Sequence, residues 1–269
     1  MRLALAIALL LITAASFWLF LAHPWWFPAA ASLNAGPLDH EFHIAFWILG
    51  GLFIAAQIVL AAFLLSSQKK EKSAYILGNW KWEIAWTLAI AALFFWFNVS
   101  GEKLWSRVMD HPGANDALQV EVTGAQFQWY FRYSGPDGIF GRTDAQKFAR
   151  PDEGNPLGLD PADPAGRDDI VSSSLVLPVG RDVELTLRAQ DVIHSVFIPA
   201  MRFKQDAVPG MTIHAHLEPV VAGNYEIACA ELCGLGHYRM RAQVRVVSPE
   251  EFVSWLRAQE RSHEEVATK

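Results

Sequence analysis

Three long apolar runs precede residue 100, and they leave the first part of this chain few ways to fold. Leu3 to Leu21 carries no charged residue, Ile44 to Leu65 is similar, and Ile84 to Val99 is slightly shorter. A helix needs about 20 apolar residues to cross a bilayer. The runs therefore predict a membrane α-helical N-terminal part of two or three transmembrane helices. The first run has a second reading as a signal peptide, with Arg2 as its basic start and Ala29 to Ala31 as a small-residue cleavage site. Its apolar core exceeds the ~7–15 residues usual for such peptides, which favours a retained helix.

Charge orients the spans. Lys69, Lys70, Glu71, Lys72 and Lys81 lie between the second and third runs and form the main short-loop cluster of positive charge, so that loop is expected in the cytoplasm. Everything after about Ser100 then lies outside the cytoplasm, in a multi-pass protein of the plasma membrane. Arg2 agrees by keeping the N-terminus inside, and Trp25, Trp26, Trp80 and Trp82 fall where interfacial aromatic belts form.

From residue 117 the pattern changes to short segments rich in Val, Thr, Phe and Tyr between Gly and Pro. Leu118–Thr123, Gln126–Tyr133, Val171–Leu177, Asp182–Leu187, Ser195–Ile198, Thr212–Leu217, Tyr225–Cys229 and Arg241–Val247 read as strands. Strands at this spacing predict an all-β sandwich. Ser248-Pro249-Glu250-Glu251 supplies an N-cap serine, a proline at the first helical position and a glutamate three after the cap, opening a short terminal helix. Ser134 to Asp169, with eight Asp and Glu against four Lys and Arg, reads as a long loop, either a docking insertion or, the favoured reading, simply solvated.

The chemistry concentrates in Cys229-Ala-Glu-Leu-Cys233-Gly-Leu-Gly-His237-Tyr-Arg-Met240, which holds the chain's only two cysteines. Thiolates with imidazole select copper or zinc, and a thioether biases the choice toward copper. His194, in Asp191-Val-Ile-His-Ser, completes the set. A mononuclear blue-copper site uses a single cysteine. A second thiolate allows both sulfurs to bridge two copper ions, with one histidine on each metal and Met240 and a backbone carbonyl as weak outer ligands. Such a centre relays electrons rather than turning over substrate. A disulfide, the ordinary fate of two cysteines outside the cytoplasm, and a zinc site are the competing readings. No Cys-x-x-Cys-His occurs, so no c-type haem is attached and electrons must arrive from a separate partner.

These residues resemble subunit II of the haem-copper cytochrome c oxidases. The loop matches the family pattern Cys-x-Glu-x-Cys-x-x-x-His-x-x-Met, and the likeness covers the second and third apolar runs and the whole C-terminal part. The resemblance implies a cupredoxin-like Greek-key sandwich holding the binuclear centre called CuA. By it, Cys229 and Cys233 bridge two copper ions, His194 and His237 cap them, Met240 is a weak ligand, and Glu231 ligates through its carbonyl. It also implies that the Glu231 carboxylate reaches a magnesium ion shared with subunit I. Glu83-Ile-Ala-Trp86-Thr87 is similar to the family's segment at the entrance of a proton path, which gives Glu83 that role; the alternative is an interfacial acid favoured by the helix dipole. Two departures stand out. Met211 stands where the family commonly has arginine, and Phe127 stands where many relatives have an exposed tryptophan that takes electrons from cytochrome c, while Trp129 is kept.

The expected organisation is therefore 1–25 as transmembrane helix or signal peptide, 40–100 as a two-helix transmembrane hairpin, 113–256 as the extracytoplasmic CuA domain, and 257–269 as a helix end and tail. Expected partners are oxidase subunit I and other oxidase subunits, cytochrome c or another extracytoplasmic donor, and the membrane; nucleic acid is not among them. A copper-free structural subunit of a quinol-oxidising relative and a membrane-anchored mononuclear copper protein are the competing readings.

Overall fold

The computed structural model describes residues 2–22, 27–66, 78–109, 116–148 and 154–267, and the side chains of 107–109 and 261–267 are outside that description. Lys69, Lys70, Glu71 and Lys72, Trp25 and Trp26, and the expected domain start at 113 lie outside the described residues. The chain divides into two compact units, one of residues 1–28 and 37–104, the other of 29–36 and 105–269.

The first unit is helical: α1 is Arg2–Ala22, α2 Ala35–Ser66 and α3 Trp80–Met109. All three are long and apolar enough to cross a membrane. The apolar runs located these helices but not their ends. At 32 residues, α2 is about 48 Å long, well beyond the ~30 Å hydrocarbon layer, so its first turns carry Asp39, His40, Glu41 and His43. Pro37 is tolerated there because the first-turn N–H groups have no helical partner. Aromatic edges join α1 to α2, with Phe20 5.5 Å from Phe46 and Phe17 6.4 Å from Trp47. Ser100 of α3 donates a hydrogen bond to the Glu41 carboxylate of α2. The remaining helix surface is exposed and apolar, Trp47 and Phe95 included.

The second unit is a sandwich of two five-stranded sheets. Strands β1 (Leu118–Ala125), β2 (Gln128–Tyr133), β3 (Ile170–Ser172), β5 (Val183–Ala189) and β8 (Ile213–Leu217) form one, in the order β3-β2-β1-β5-β8. The other runs β4-β10-β9-β6-β7, from β4 (Leu175–Pro178), β6 (His194–Ile198), β7 (Phe203–Ala207), β9 (Gly223–Cys229) and β10 (Arg241–Val247). Alternation fills the space between them: Val120, Val122, Trp129, Phe131 and Tyr133 from the first sheet meet Leu175, Val196, Ile198, Ile227 and Val244 from the second. Tyr133 fastens the layers, its hydroxyl accepting from Val176 N at 2.7 Å and donating to Val176 O at 3.0 Å.

Three expectations need correction. Val171–Leu177 is not one strand but β3 and β4, one in each sheet. The serines between them drive the crossing, because the Ser172 hydroxyl accepts from Ser174 N at 3.1 Å and donates to Ser174 O at 2.9 Å, closing a turn. β7 escaped notice because Lys204, Gln205 and Asp206 interrupt its apolar pattern on a sheet edge. The terminal helix is not short: α4 runs Pro249–Ala267, opened by Ser248, whose hydroxyl accepts from Glu251 N at 3.2 Å. It rests on the sandwich through Phe252 and Trp255, the latter edge-on to Tyr133 at 5.0 Å.

The acidic loop also proves folded rather than simply solvated. Arg132 points out of the sheet yet is only 2% exposed, ion-paired to Glu121 at 2.8 Å and to Asp169 at 3.6 Å. Its guanidinium also donates to Gly141 O at 3.0 Å and lies over the Phe140 ring. Gly141 N in turn donates to Asp169 Oδ2 at 3.0 Å. The loop thus closes over one buried arginine.

Residues 29–36 belong to the sandwich as well. Ala31 N donates to Ala200 O and Ala31 O accepts from Val220 N, while the buried Ser32 hydroxyl donates to Met201 O at 2.7 Å. Ala31, part of the candidate cleavage site, is 1% exposed in this core.

Candidate metal centre

Sheet pairing assembles the centre from separated pieces of chain. His194 opens β6, Cys229 closes β9, and the pairing Val196↔Cys229 sets the two side by side. The loop 230–240 is pinched shut at its base, where Cys229 N donates to Met240 O at 3.0 Å, so the first and last donors of the motif meet. Within it, Ala230 N donates to Ser195 O, and a short 3-10 turn, His237–Arg239, returns the histidine toward the thiols.

The donor atoms converge. Cys229 Sγ and Cys233 Sγ are 3.9 Å apart, so the thiols are free rather than joined, since a disulfide needs about 2.05 Å. His194 Nδ1 is 4.0 Å from Cys229 Sγ, and His237 Nδ1 is 3.6 Å from Cys233 Sγ. Met240 Sδ is 3.7 Å from Cys233 Sγ, and the Glu231 carbonyl is 3.2 Å from Cys229 Sγ. Two donors on one metal, each at about 2.0–2.3 Å, stand no more than about 4.6 Å apart, and all these separations fall inside that bound. Cys229, Cys233 and His194 form a possible metal-binding group, their ligand atoms within 4.8 Å of one another. The thiols, His194 and Met240 are buried, whereas His237 is half-buried and the Glu231 side chain is exposed. Burial, and after it the neighbouring Cys229, pushes the Cys233 thiol up to about 11, as expected for sulfur in apolar surroundings without a cation.

The histidine is oriented from behind. Asp191 Oδ1 accepts from His194 Nε2 at 2.8 Å, which places the ring proton on Nε2 and leaves the Nδ1 lone pair facing the thiols. Burial works against the Asp191 charge, but hydrogen bonds from Gln126 N and His194 hold its carboxyl below the usual carboxylate range. Trp129 is buried and edge-on to His194, ring centroids 5.8 Å apart. A Cβ at Gly124 would lie 2.8 Å from His194 Cδ2 and 3.0 Å from Trp129 Cζ3, so only glycine admits both rings. Phe127, half-buried at the β1–β2 turn, lies on the metal loop, where a Cβ at Gly236 would come within 2.4 Å of its ring.

The structure thus brings together the six candidate ligands and both aromatics that the sequence singled out, whereas sequence reasoning passed over Gly124, Gln126, Asp191 and Gly236. The spacing Asp-x-x-His was a signal for Asp191, and Gly-Leu-Gly for the close approach of Phe127. Glu83 lies in the first turn of α3. Met211 is exposed, just before β8.

A model of the family described as cytochrome c oxidase subunit II, periplasmic domain, matches residues 118–247. The alternative cytochrome c oxidase subunit 2 of Bradyrhizobium diazoefficiens is 36% identical over 264 residues, 95% of this chain and 92% of that protein. The chain belongs to the cytochrome c oxidase subunit II family. Cytochrome c oxidase subunit 2 of Cereibacter sphaeroides is 29% identical over 242 residues, 83% of this chain and 77% of that protein. The solved periplasmic domain of subunit II of cytochrome oxidase from Bradyrhizobium japonicum is 26% identical and covers 56% of this chain and 98% of its own, with a TM-score of 0.41. As a subunit II family member, the chain joins three apolar helices to a cupredoxin-like sandwich, and its free thiols and His194 are compatible with CuA.

Proposed function

We propose that this chain is the electron-accepting subunit of a respiratory terminal oxidase, taking electrons from cytochrome c or a similar extracytoplasmic donor and passing them to haem in subunit I. The observation that carries the reading is the convergence of two free thiols, two imidazole nitrogens, a thioether sulfur and a carbonyl in one largely buried cluster. Two copper ions fit that donor set, and Cys229, Cys233, His194 and His237 would hold them, with Met240 and the Glu231 carbonyl as weaker ligands. Bound there, they would supply a one-electron carrier shared between two metals. The protein's part is to keep the donors in place on strand ends and to exclude water. Exposure of Glu231 supports the further proposal that its carboxylate reaches a magnesium ion shared with subunit I. The loop's outer rim of Leu232, Leu235 and Tyr238, all exposed, offers apolar surface to partner proteins.

The topology we infer puts the sandwich outside the plasma membrane. Both α2 at its start and α3 at its end continue into residues of the sandwich unit, so two spans return the chain to one side and leave Lys69, Lys70 and Lys72 on the cytoplasmic side. The full chain, purified in detergent and loaded with copper, should bind two coppers and give a valence-delocalised spectrum. One copper per chain, or zinc in preference to copper, would overturn the reading.

Two further roles follow. Glu83 is proposed to load a proton path into subunit I, so Glu83→Gln should slow turnover of the assembled oxidase several-fold while copper spectrum and subunit content stay the same; unchanged turnover returns it to a helix-end acid. Phe127 is proposed as docking surface above the metal loop, with Trp129, edge-on to His194, carrying electronic coupling. Phe127→Ala should preserve the copper spectrum but slow reduction by the donor about fivefold or more, since truncating an interface aromatic often costs more than ~1 kcal/mol. Reduction as fast as wild type at every ionic strength would place the entry surface elsewhere.

A further inference from the structure

We propose that Gln126 is a positioning residue of the metal centre, tying the hairpin that carries Phe127 to both ends of the donor set. The inference rests on the copper reading above and assigns a role to a residue that supplies no ligand.

Gln126 sits at the β1–β2 turn and is exposed as a residue, yet both its backbone N–H and its side-chain amide are bonded to the protein. Its backbone N–H donates to Asp191 Oδ2 at 2.7 Å, and the other oxygen of that carboxylate accepts from His194 Nε2 at 2.8 Å. Its side-chain amide donates to the Cys233 carbonyl at 2.5 Å. One residue therefore reaches His194 through a single carboxylate and reaches Cys233 directly. The contacted loop is shaped to receive it: Gly234, next to Cys233, has φ of +133°, and a Cβ there would lie 2.9 Å from Gln126 Nε2 and 3.1 Å from Phe127 Cε1. Conformation and space both demand glycine at that point.

The physical consequence concerns the metal's surroundings rather than its retention. Partners behind the ligands fix their orientation and basicity and so tune a metal site. The Gln126 amide fixes the peptide plane that follows Cys233, and its N–H polarises the carboxylate that holds the His194 tautomer. Because Phe127 is the next residue, pressure on that ring by a docked donor is transmitted through one peptide to both contacts.

The test uses the full chain in detergent, loaded with copper, and reads copper content, visible and paramagnetic-resonance spectra, and midpoint potential. Gln126→Met keeps length and apolar volume but removes the side-chain donor. It should bind two coppers as the wild type does, with altered copper hyperfine splitting and a shifted midpoint potential. Asp191→Asn retains an acceptor for His194 and places an amide N–H₂ against Gln126 N, so it too should keep copper and shift the potential. If Gln126→Met does not accumulate, Gln126→Leu, which also lacks the amide donor and leaves the Asp191–His194 bond in place, carries the decision. Spectra and potentials that superimpose on wild type overturn the proposal. Wild-type chain that fails to take two coppers overturns the copper reading instead, so the two failures are told apart.

Discussion

Serine in place of Cys229 or Cys233 should abolish the metal centre, whereas Met240→Leu should leave two coppers bound with a perturbed spectrum. The ranking follows from geometry and softness. Cys233 Sγ lies within 3.6–3.9 Å of three other donors, Cys229 Sγ, His237 Nδ1 and Met240 Sδ. Cys229 Sγ sits against Cys233, His194 and the Glu231 carbonyl at 3.2–4.0 Å. Each thiol is thus common to several donors, and a hydroxyl is too hard to replace it on copper. Met240 touches the set at one edge through a weak thioether. Its side chain is fully buried, but leucine conserves volume and such exchanges usually cost under ~1.5 kcal/mol. The backbone bond from Cys229 N to Met240 O, which closes the loop, is untouched by the change. Copper content and the absorption spectrum of the purified variants decide the matter, and equal loss in all three would refute the ranking.

Arg132→Met should destabilise the sandwich by about 3–5 kcal/mol, the usual cost of removing one partner from a buried ion pair. Arg132 and Asp169 are 2% and 0% exposed, and Glu121 9%, so two carboxylates lose their common cation away from water. Arg188, 3.4 Å from Glu121, replaces only part of it. Burial, outweighing the attraction of Arg132, already pushes the Asp169 carboxyl up to about 6. Its folded value is thus above its unfolded one, so proton uptake favours the fold as pH falls from about 6 to about 4. Without Arg132 that value rises further, and the deficit of the variant should grow as pH rises above 6 and shrink toward pH 5. Thermal unfolding of the detergent-purified chain at pH 5 and pH 8 measures both effects. Arg142→Ala is the control: its side chain is 74% exposed, so water screens its pairs to Asp160 and Asp163, and such surface bridges are worth about 0–1 kcal/mol. Equal losses for Arg132→Met and Arg142→Ala would contradict the buried-pair account.

Much of the candidate site was legible because its chemistry is local. Cys229, Cys233, His237 and Met240 fall within a dozen residues, and soft donors at such spacing narrow the metal before any fold is known. The helices were legible for a similar reason, since a run of about 20 apolar residues has one stable arrangement in a bilayer. Their ends were not, because α2 and α3 continue past the apolar stretch into polar turns that hydropathy does not count. Val171–Leu177 looked like one strand because both β3 and β4 are apolar, and only the serine turn between them sends the chain to the opposite sheet. The acidic loop looked solvated because composition cannot reveal a buried arginine beneath it.

By itself, then, the order of residues determined three long apolar helices, an all-β unit of alternating strands, and a soft donor set of thiols, imidazoles and a thioether, each written in periodicity or in side-chain chemistry over a short stretch. Tertiary structure alone decided contacts that no reading of the residues had foreseen: Asp191 beside Gln126, 65 residues back, and the Gln126 amide on the Cys233 carbonyl, 107 residues away. It also brought Ala31 and Ser32, from before the second span, into the sandwich. The reason is that hydrogen bonds and packing between distant segments depend on which strands pair and in what register. Those choices are settled by burying both sheets at once and leave no local pattern in either segment.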